Sequence, residues 1–305
     1  VTGDAAADIG VTRFEGALPD DVSDSVSLLI AAARAADGTD PISEQGLRGL
    51  AGKIPAEHVV ATTGGVPAGV ATIRIENGSP NVELVVDPAR RRQGVGRTLI
   101  DEAATRGAQV WAHGDLPAAA ALAAAAGMTR ARELLQMRRE LGAESPLPDV
   151  DPRDGIVVRT YAGPRDDAEI VRVNNAAFHW HPEQGGWTQT DIDSRKELAW
   201  FDPEGLFLAF SAAAPHTLLG FHWTKTHPAD PPVPALGEVY IVGVDPEVHG
   251  KGLGRLLTLK GLHYLRDRGL ATVLLYVEAD NPAALRTYEN LGFSRYFTDV
   301  VYIMA

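Results

Sequence analysis

The chain of 305 residues carries 28 Lys and Arg against 40 Asp and Glu, a formal charge of −12, and 45% of its residues are apolar. That length suits two domains, each with its own core, and a net-negative chain without a long basic run lacks the electrostatic footprint of a nucleic-acid or anionic-membrane binder. The absence of cysteine excludes disulfides, thiolate nucleophiles and Cys-based zinc or iron–sulfur sites.

The first ten residues are small and acidic, without the charged-then-apolar pattern of a secretory signal. No apolar run approaches the ~20 residues that span a bilayer, so a cytoplasmic protein is expected. Strands are predicted at 59–62, 69–75 and 81–86, separated by Gly, Pro and Asn turn residues. After Gly96, the residues Leu99, Ile100 and Ala103 recur at helical spacing, so a helix follows a glycine-rich turn. The run 118–126 reads as a small-residue helix packed closely on its neighbours. Residues 143–155, with three prolines and no periodicity, read as a stiff solvated linker. Beyond it, strands are predicted at 206–210, 218–224, 238–244 and 273–277, with a helix carrying Leu256, Leu257 and Leu265.

The two halves correspond. Val11-Thr12-Arg13 matches Val157-Val158-Arg159, and Asp87-Pro88 with Gly94-x-Gly96-Arg97 matches Asp245-Pro246 with Gly252-x-Gly254-Arg255. Gly127-Met128 matches Gly292-Phe293. The landmarks keep their order while the offset only grows, which indicates a tandem duplication with loop growth. On either side of residue 150 there are 14 basic and 20 acidic residues, so the halves carry equal charge. The expected division is 1–142, a linker at 143–155, and 156–305.

A strand ending in Asp-Pro, then a basic glycine turn, then a helix aims backbone N–H groups and the positive helix end at one point, which suits a phosphate or pyrophosphate. The spacing is neither that of a dinucleotide fingerprint nor that of a Walker loop. Arg90-Arg91-Arg92 beside the first turn could be a solvated charge run or could add phosphate contact.

The turn, followed by Asn281-Pro282-Ala283-Ala284-Leu285-Arg286-Thr287-Tyr288-Glu289-Asn290-Leu291-Gly292-Phe293, resembles the GCN5-related N-acetyltransferases (GNAT). The resemblance covers all of the second half; in the first, the turn and Gly127-Met128 remain. It implies an α/β fold of two tandem acyl-CoA N-acyltransferase domains, each a mixed, mostly antiparallel sheet flanked by helices. It further implies acetyl-CoA as donor, no metal, and a small-molecule amine acceptor. The expected cofactor contacts are Val242, Gly243 and Val244 at the acetyl and pantetheine groups, and His249, Gly250, Lys251, Gly252, Leu253, Gly254 and Arg255 at the pyrophosphate. Asn281, Pro282, Ala283, Ala284, Leu285 and Arg286 would cover the other side. His249 departs from the Gln or Arg usual in the family. The matching first-half stretches are Leu84, Val85 and Val86, and Arg92, Gln93, Gly94, Val95, Gly96 and Arg97.

Acetyl transfer to an amine needs a base for the ammonium proton and an acid for the departing thiolate. Tyr288 follows the Asn281 turn, where a phenol could protonate sulfur. Glu238 enters the strand leading to Val244, and a regular strand would put Glu238, Tyr240, Val242 and Val244 on one face. A bulge near Val242 would alter that phase. Equal counting in the first half gives Ala123 for Tyr288 and Pro80 for Glu238, while Glu83 would face the other way. The first half is therefore expected to keep a CoA-like pocket without transferring.

The segment from Asn174 to Trp187 is polar and aromatic, suiting a hydroxyl-rich acceptor. With Ala199 to Leu206, Gly220 to Lys225, Glu44-Gln45 and Ala112 to Gly114, it closely resembles a tandem-domain branch of the family whose acceptor is the cysteinyl amine of a cysteinyl-glucosaminyl-inositol. That resemblance implies acceptor contacts from Glu44, Glu183, Lys225, Glu238 and Tyr276, with Glu238 as base, Tyr288 as acid and the first domain forming one wall of the acceptor pocket. Alternatives are transfer to an aminoglycoside or peptide N-terminus, or a CoA-binding regulatory module without turnover. A monomer is expected. His179, His181, His216, His222 and His227 lie near one another in sequence, but no helical His pair or Cys partner supports a metal site.

Overall fold

The computed structural model describes residues 8–76, 78–105, 107–179, 184–229, 234–248 and 250–304. The first repeat runs β1 (Ile9–Glu15), α1 (Asp20–Asp37), α2 (Glu44–Leu50), β2 (Glu57–Thr63), β3 (Val66–Glu76), β4 (Ser79–Val86), α3 (Val95–Ala103), β5 (Gln109–His113), α4 (Pro117–Ala125) and β6 (Met128–Glu140). The second runs β7 (Ile156–Thr160), α5 (Asp167–Ala177), α6 (Gln189–Lys196), β8 (Leu206–Ser211), β9 (Leu218–His227), β10 (Leu236–Val244), α7 (Leu253–Asp267), β11 (Thr272–Glu278), α8 (Pro282–Glu289) and β12 (Ser294–Met304). Among the described residues, no helix is long and apolar enough to cross a membrane.

The chain forms two compact units, Val1–Leu134 with Phe297–Ala305, and Leu135–Tyr296. Each is an α/β unit, but neither is one uninterrupted sequence repeat. The last strand of the first repeat, β6, contributes its 135–140 half to unit 2, and the last strand of the second, β12, contributes 297–304 to unit 1. The 143–155 segment lies inside unit 2.

The sheet of unit 1 has the order β1-β2-β3-β4-β5-β12. Its first four strands are antiparallel neighbours, β4 and β5 are parallel, and β12 closes antiparallel on β5. A parallel pair needs a crossover connection, and α3 supplies it. Unit 2 repeats this plan as β7-β8-β9-β10-β11, with β6 beside β11.

Helices cover both faces of each sheet, which is why the central strands are apolar on both sides. In unit 1, Val82 and Val110 pack with Leu99 and Ile100 of α3, while Val85 packs on the other face with Val26 and Leu29 of α1. In unit 2, Val239 and Leu275 pack with Leu259 and Leu262 of α7, while Ile241 packs on the opposite face with Ile170 and Val173 of α5.

Candidate active site

In both units the parallel pair holds for three residues and then opens. In unit 2 the pairing runs from Gly237–Val239 to Val273–Leu275, and in unit 1 from Asn81–Glu83 to Gln109–Trp111. The residues beyond, Val242 to Val244 and Leu84 to Val86, follow these pairings and lead into the glycine turns, and Leu84 to Val86 border a cavity. Gly243 has no room for a side chain, since a Cβ there would stand 2.6 Å from the Phe221 ring.

The turn of unit 2 places Gly250 and Gly252 in the left-handed region, at φ of 79° and 71°, and Gly252 caps α7. The first-turn amides of α7, including those of Leu253, Gly254 and Arg255, are thus presented at a positive helix end. Arg153 adds a guanidinium: a Cβ on Gly252 would stand 2.6 Å from one of its nitrogens. A glycine cradle, a helix N-terminus and a cation together fit a pyrophosphate. In unit 1, Gly94 at φ 93° caps α3, and a Cβ on Gly96 would meet Leu122 at 2.9 Å. There Arg91 is held by Asp37 at 2.8 and 2.6 Å, and Arg90 donates to the Thr63 hydroxyl at 3.1 Å.

Asn281 caps α8, its side-chain oxygen accepting from the Ala284 N–H at 3.1 Å, with Pro282 following at the first helical position. The helix carries Tyr288, half-buried and edge-on to Phe293 at 5.9 Å between ring centroids. Burial pushes its phenol up to about 12, so it is a proton donor at neutral pH.

The strand phase at Glu238 differs from that of a regular strand. The register of β10 against β9 shifts between Val239 and Ile241, which makes Tyr240 the extra residue of a bulge. Val239 and Val242 therefore pack on the α7 side while Ile241 packs on the α5 side. Glu238 and Val242, three residues past the point of common phase, point to opposite faces. The bulge expected near Val242 lies two residues earlier.

Glu238 is buried, with 8% of its side chain exposed, and sits across the ladder from Lys225. The Lys225 ammonium lies 3.8 Å from Glu238 Oε2 and 5.5 and 5.6 Å from the ring centroids of Trp200 and Tyr240. His227, two residues along β9, places Nε2 at 2.6 Å from the same carboxylate oxygen. Sequence reading grouped His227 with the other histidines and missed this contact; the alternation Lys225-Thr226-His227 on a strand facing Glu238 is the signal that carried it. His222, by contrast, is fully buried with Nδ1 2.8 Å from the Leu257 carbonyl oxygen, and burial lowers it to about 4.

Tyr276 is 46% exposed, and its hydroxyl accepts from Gln136 Nε2 at 2.7 Å. Glu44 is an exposed residue opening α2 of unit 1. Glu183 and His249 lie outside the described residues, as does His181.

The bulge also changes the comparison with unit 1. Glu238 pairs with Leu274 as Asn81 pairs with Gln109, so the counterpart of Glu238 is Asn81 and not Pro80, because unit 2 carries one extra residue before Asp245. The β3–β4 ladder runs without a shift from Gly69↔Val86 to Glu76↔Ser79. Asn81 accepts from Trp111 Nε1 at 2.9 Å and donates to Glu76 at 2.6 Å, and an amide cannot take up a proton here.

Glu83, two residues on, shares the face of Asn81 instead of opposing it. It accepts from the Ser43 N–H at 3.1 Å and lies 3.5 Å from both Arg74 and His113. Burial alone would raise Glu83, but hydrogen bonds from His113 and Ser43 and the nearby positive charges hold it below the usual carboxylate range. The counterpart of Tyr288 is Ala123, buried on α4. One side of α4 packs into the core through Ala120, Ala123 and Ala126, while Ala118, Ala119, Ala121 and Ala123 border a cavity of about 550 Å³, which Leu84, Val86, Arg92, Gly94, Gly96 and Arg97 also line.

Residues 174–293 match the Acetyltransferase (GNAT) family, and residues 55–129 match the Acetyltransferase (GNAT) domain. The chain is 55% identical to the mycothiol acetyltransferase of Nocardia farcinica, across 95% of this chain and 96% of that protein. It is 52% identical to that of Rhodococcus erythropolis, across 94% and 98%. A GCN5-related N-acetyltransferase from Sphaerobacter thermophilus shares the fold with a TM-score of 0.74 at 22% identity, over 95% of this chain and 94% of that one. A tandem GNAT protein from the clavulanic acid biosynthesis pathway gives 0.62 at 20%, over 96% and 98%.

Proposed function

The chain belongs to the GNAT acetyltransferase family and, within it, to the mycothiol acetyltransferases, and from that premise we propose that unit 2 carries out the transfer by direct attack in a ternary complex. The overall reaction moves acetyl from acetyl-CoA to the cysteinyl amine of desacetylmycothiol, giving mycothiol and CoA. Acetyl-CoA supplies an activated thioester; the chain supplies its placement and the proton traffic.

Glu238, directly or through water, takes the proton of the ammonium, so that the free amine can form the N–C bond as the C–S bond breaks. Tyr288 gives its proton to the departing sulfur. The second proton that the nitrogen sheds on becoming an amide replaces, by way of water, the one Tyr288 gives up. The carboxylates of Glu238 and Glu183 suit a cationic acceptor, with Lys225 and Tyr276 contacting its hydroxyl-bearing part. The amides of Val242 to Val244, the turn from His249 to Arg255 and the stretch from Asn281 to Arg286 hold the donor. The reading carries a cytoplasmic location, since acetyl-CoA is an intracellular metabolite.

The observation that carries this division is the pairwise difference between the units. Unit 2 has Glu238 and Tyr288 where unit 1 has the doubly hydrogen-bonded Asn81 and the truncated Ala123. Unit 1 keeps a turn and cavity of donor-binding character without groups to run the reaction.

The test is thiol release from acetyl-CoA over a panel of amines, including desacetylmycothiol, an aminoglycoside and a peptide with a free N-terminus. Release dependent on desacetylmycothiol is expected. Preference for the peptide or aminoglycoside would overturn the acceptor, and no acceptor-dependent release with any amine would leave a CoA-binding module.

A further inference from the structure

Behind its glycine turn, unit 1 holds much smaller side chains than unit 2. With Gly127 set on Gly292, the residues Ala120, Ala123, Ala126 and Met128 occupy the positions of Leu285, Tyr288, Leu291 and Phe293. In unit 2 those four pack with Leu275 and Val277 into a filled core. In unit 1, Ala120 and Ala126 still pack in the core, but Ala123 and Met128 border one cavity of about 550 Å³ that is also lined by Arg92 and Gly94 at the turn, by Leu84 and Val86, and by Tyr302.

The inner end is apolar. Ile100 and Val110 complete it, and both belong to the buried core of the unit. The one charged group bordering that end, His113, is already compensated by Asp299 at 2.9 Å and Glu83 at 3.5 Å, so it offers little to an anionic chain. A groove of this size falls in the range of small-molecule sites, roughly 300–1,000 Å³. Its polar end suits phosphate and its inner end suits hydrocarbon.

We propose that unit 1 binds a CoA thioester whose acyl group is an unbranched hydrocarbon chain longer than acetyl, and holds it without turnover. The inference rests on the reading that the unit 1 turn holds CoA. Where Tyr288 fills the place next to the sulfur in unit 2, Ala123 leaves that place open, so the acyl chain continues into the cavity lined by Met128, Val110 and Tyr302. Each buried methylene is worth roughly fourfold in affinity, so butanoyl-CoA, with two more, gains about fifteenfold over acetyl-CoA, and hexanoyl-CoA gains more.

Calorimetric titration of the full chain with CoA, acetyl-CoA, butanoyl-CoA and hexanoyl-CoA tests this, with Gly96→Asp marking the unit 1 component. The expected result is a binding phase lost in Gly96→Asp that strengthens roughly tenfold or more from acetyl to butanoyl. Ala123→Tyr should remove that preference and leave CoA binding in place; Ala123→Leu serves if the tyrosine prevents folding. Equal affinity for all acyl lengths, or a preference unchanged in the Ala123 variants, overturns the acyl site while leaving the CoA reading standing. If no phase is lost in Gly96→Asp, the CoA reading of unit 1 falls, and the proposal with it.

Discussion

His227 Nε2 lies 2.6 Å from Glu238 Oε2, and the imidazole is 35% exposed where the carboxylate side chain is 8% exposed. In its proposed role as base, Glu238 must release the proton it takes up in each turnover, and His227 joins it to solvent across one hydrogen bond. The variant His227→Gln keeps a hydrogen-bond donor but cannot carry a proton. We expect kcat to fall roughly tenfold, less than the roughly 10²–10⁴-fold of a group that exchanges the proton with substrate directly, with KM for acetyl-CoA unchanged and partial recovery in imidazole buffer. A kcat and pH profile like those of the wild type would limit His227 to packing.

Tyr288 is tested by removing one oxygen. Because burial holds the phenol at about 12, it is protonated through the neutral range and can donate to sulfur without first being charged. Tyr288→Phe keeps the ring against Phe293 and should lower kcat about 10²-fold, while calorimetry still shows acetyl-CoA binding. Full turnover in the phenylalanine variant would assign the acid to another group.

Arg153 is held against Gly252 at the N-terminus of α7, where a pyrophosphate would add two charged acceptors. Charge-assisted hydrogen bonds are about twice as strong as neutral ones, so Arg153→Ala should raise KM for acetyl-CoA roughly tenfold and leave kcat in place. A fall in kcat with KM untouched would contradict a phosphate contact.

Much of the plan was legible in the chain. The strands predicted at 69–75, 81–86, 206–210 and 273–277 form, and both glycine turns cap helices, because period-2 alternation and turn residues are local signals. The shift at Tyr240 was not legible to the residue, since a bulge depends on how β10 and β9 pair. One extra residue moved the counterpart of Glu238 from Pro80 to Asn81 and put Glu83 on the face it was expected to avoid. The exchange of terminal strands was also hidden, because nothing local in β6 or β12 marks which sheet the strand joins. Arg153 escaped notice for a similar reason: within the Pro-rich 143–155 segment nothing local marks a side chain that returns to Gly252.

Unit 1 should have its own alkaline limit. His113 Nδ1 lies 2.9 Å from Asp299 and Nε2 lies 3.5 Å from Glu83. Burial alone would lower the imidazole, yet hydrogen bonds and charge from Asp299 and Glu83 raise it from 6.5 to about 9. The folded state thus binds this proton more tightly than the unfolded chain. Its contribution is complete below pH 6.5 and is lost as pH rises through 9, an effect on the order of 3 kcal/mol. Glu83 has the opposite sign: held below 4.5, it contributes above that pH and loses its contribution as pH falls. Unit 1 stability should therefore be highest between about pH 4.5 and 6.5 and fall on both sides. In thermal unfolding across pH, His113→Gln should flatten the decline between pH 6.5 and 9, because a neutral amide has no proton to lose. A decline equally steep in that variant would show that the alkaline limit comes from other groups.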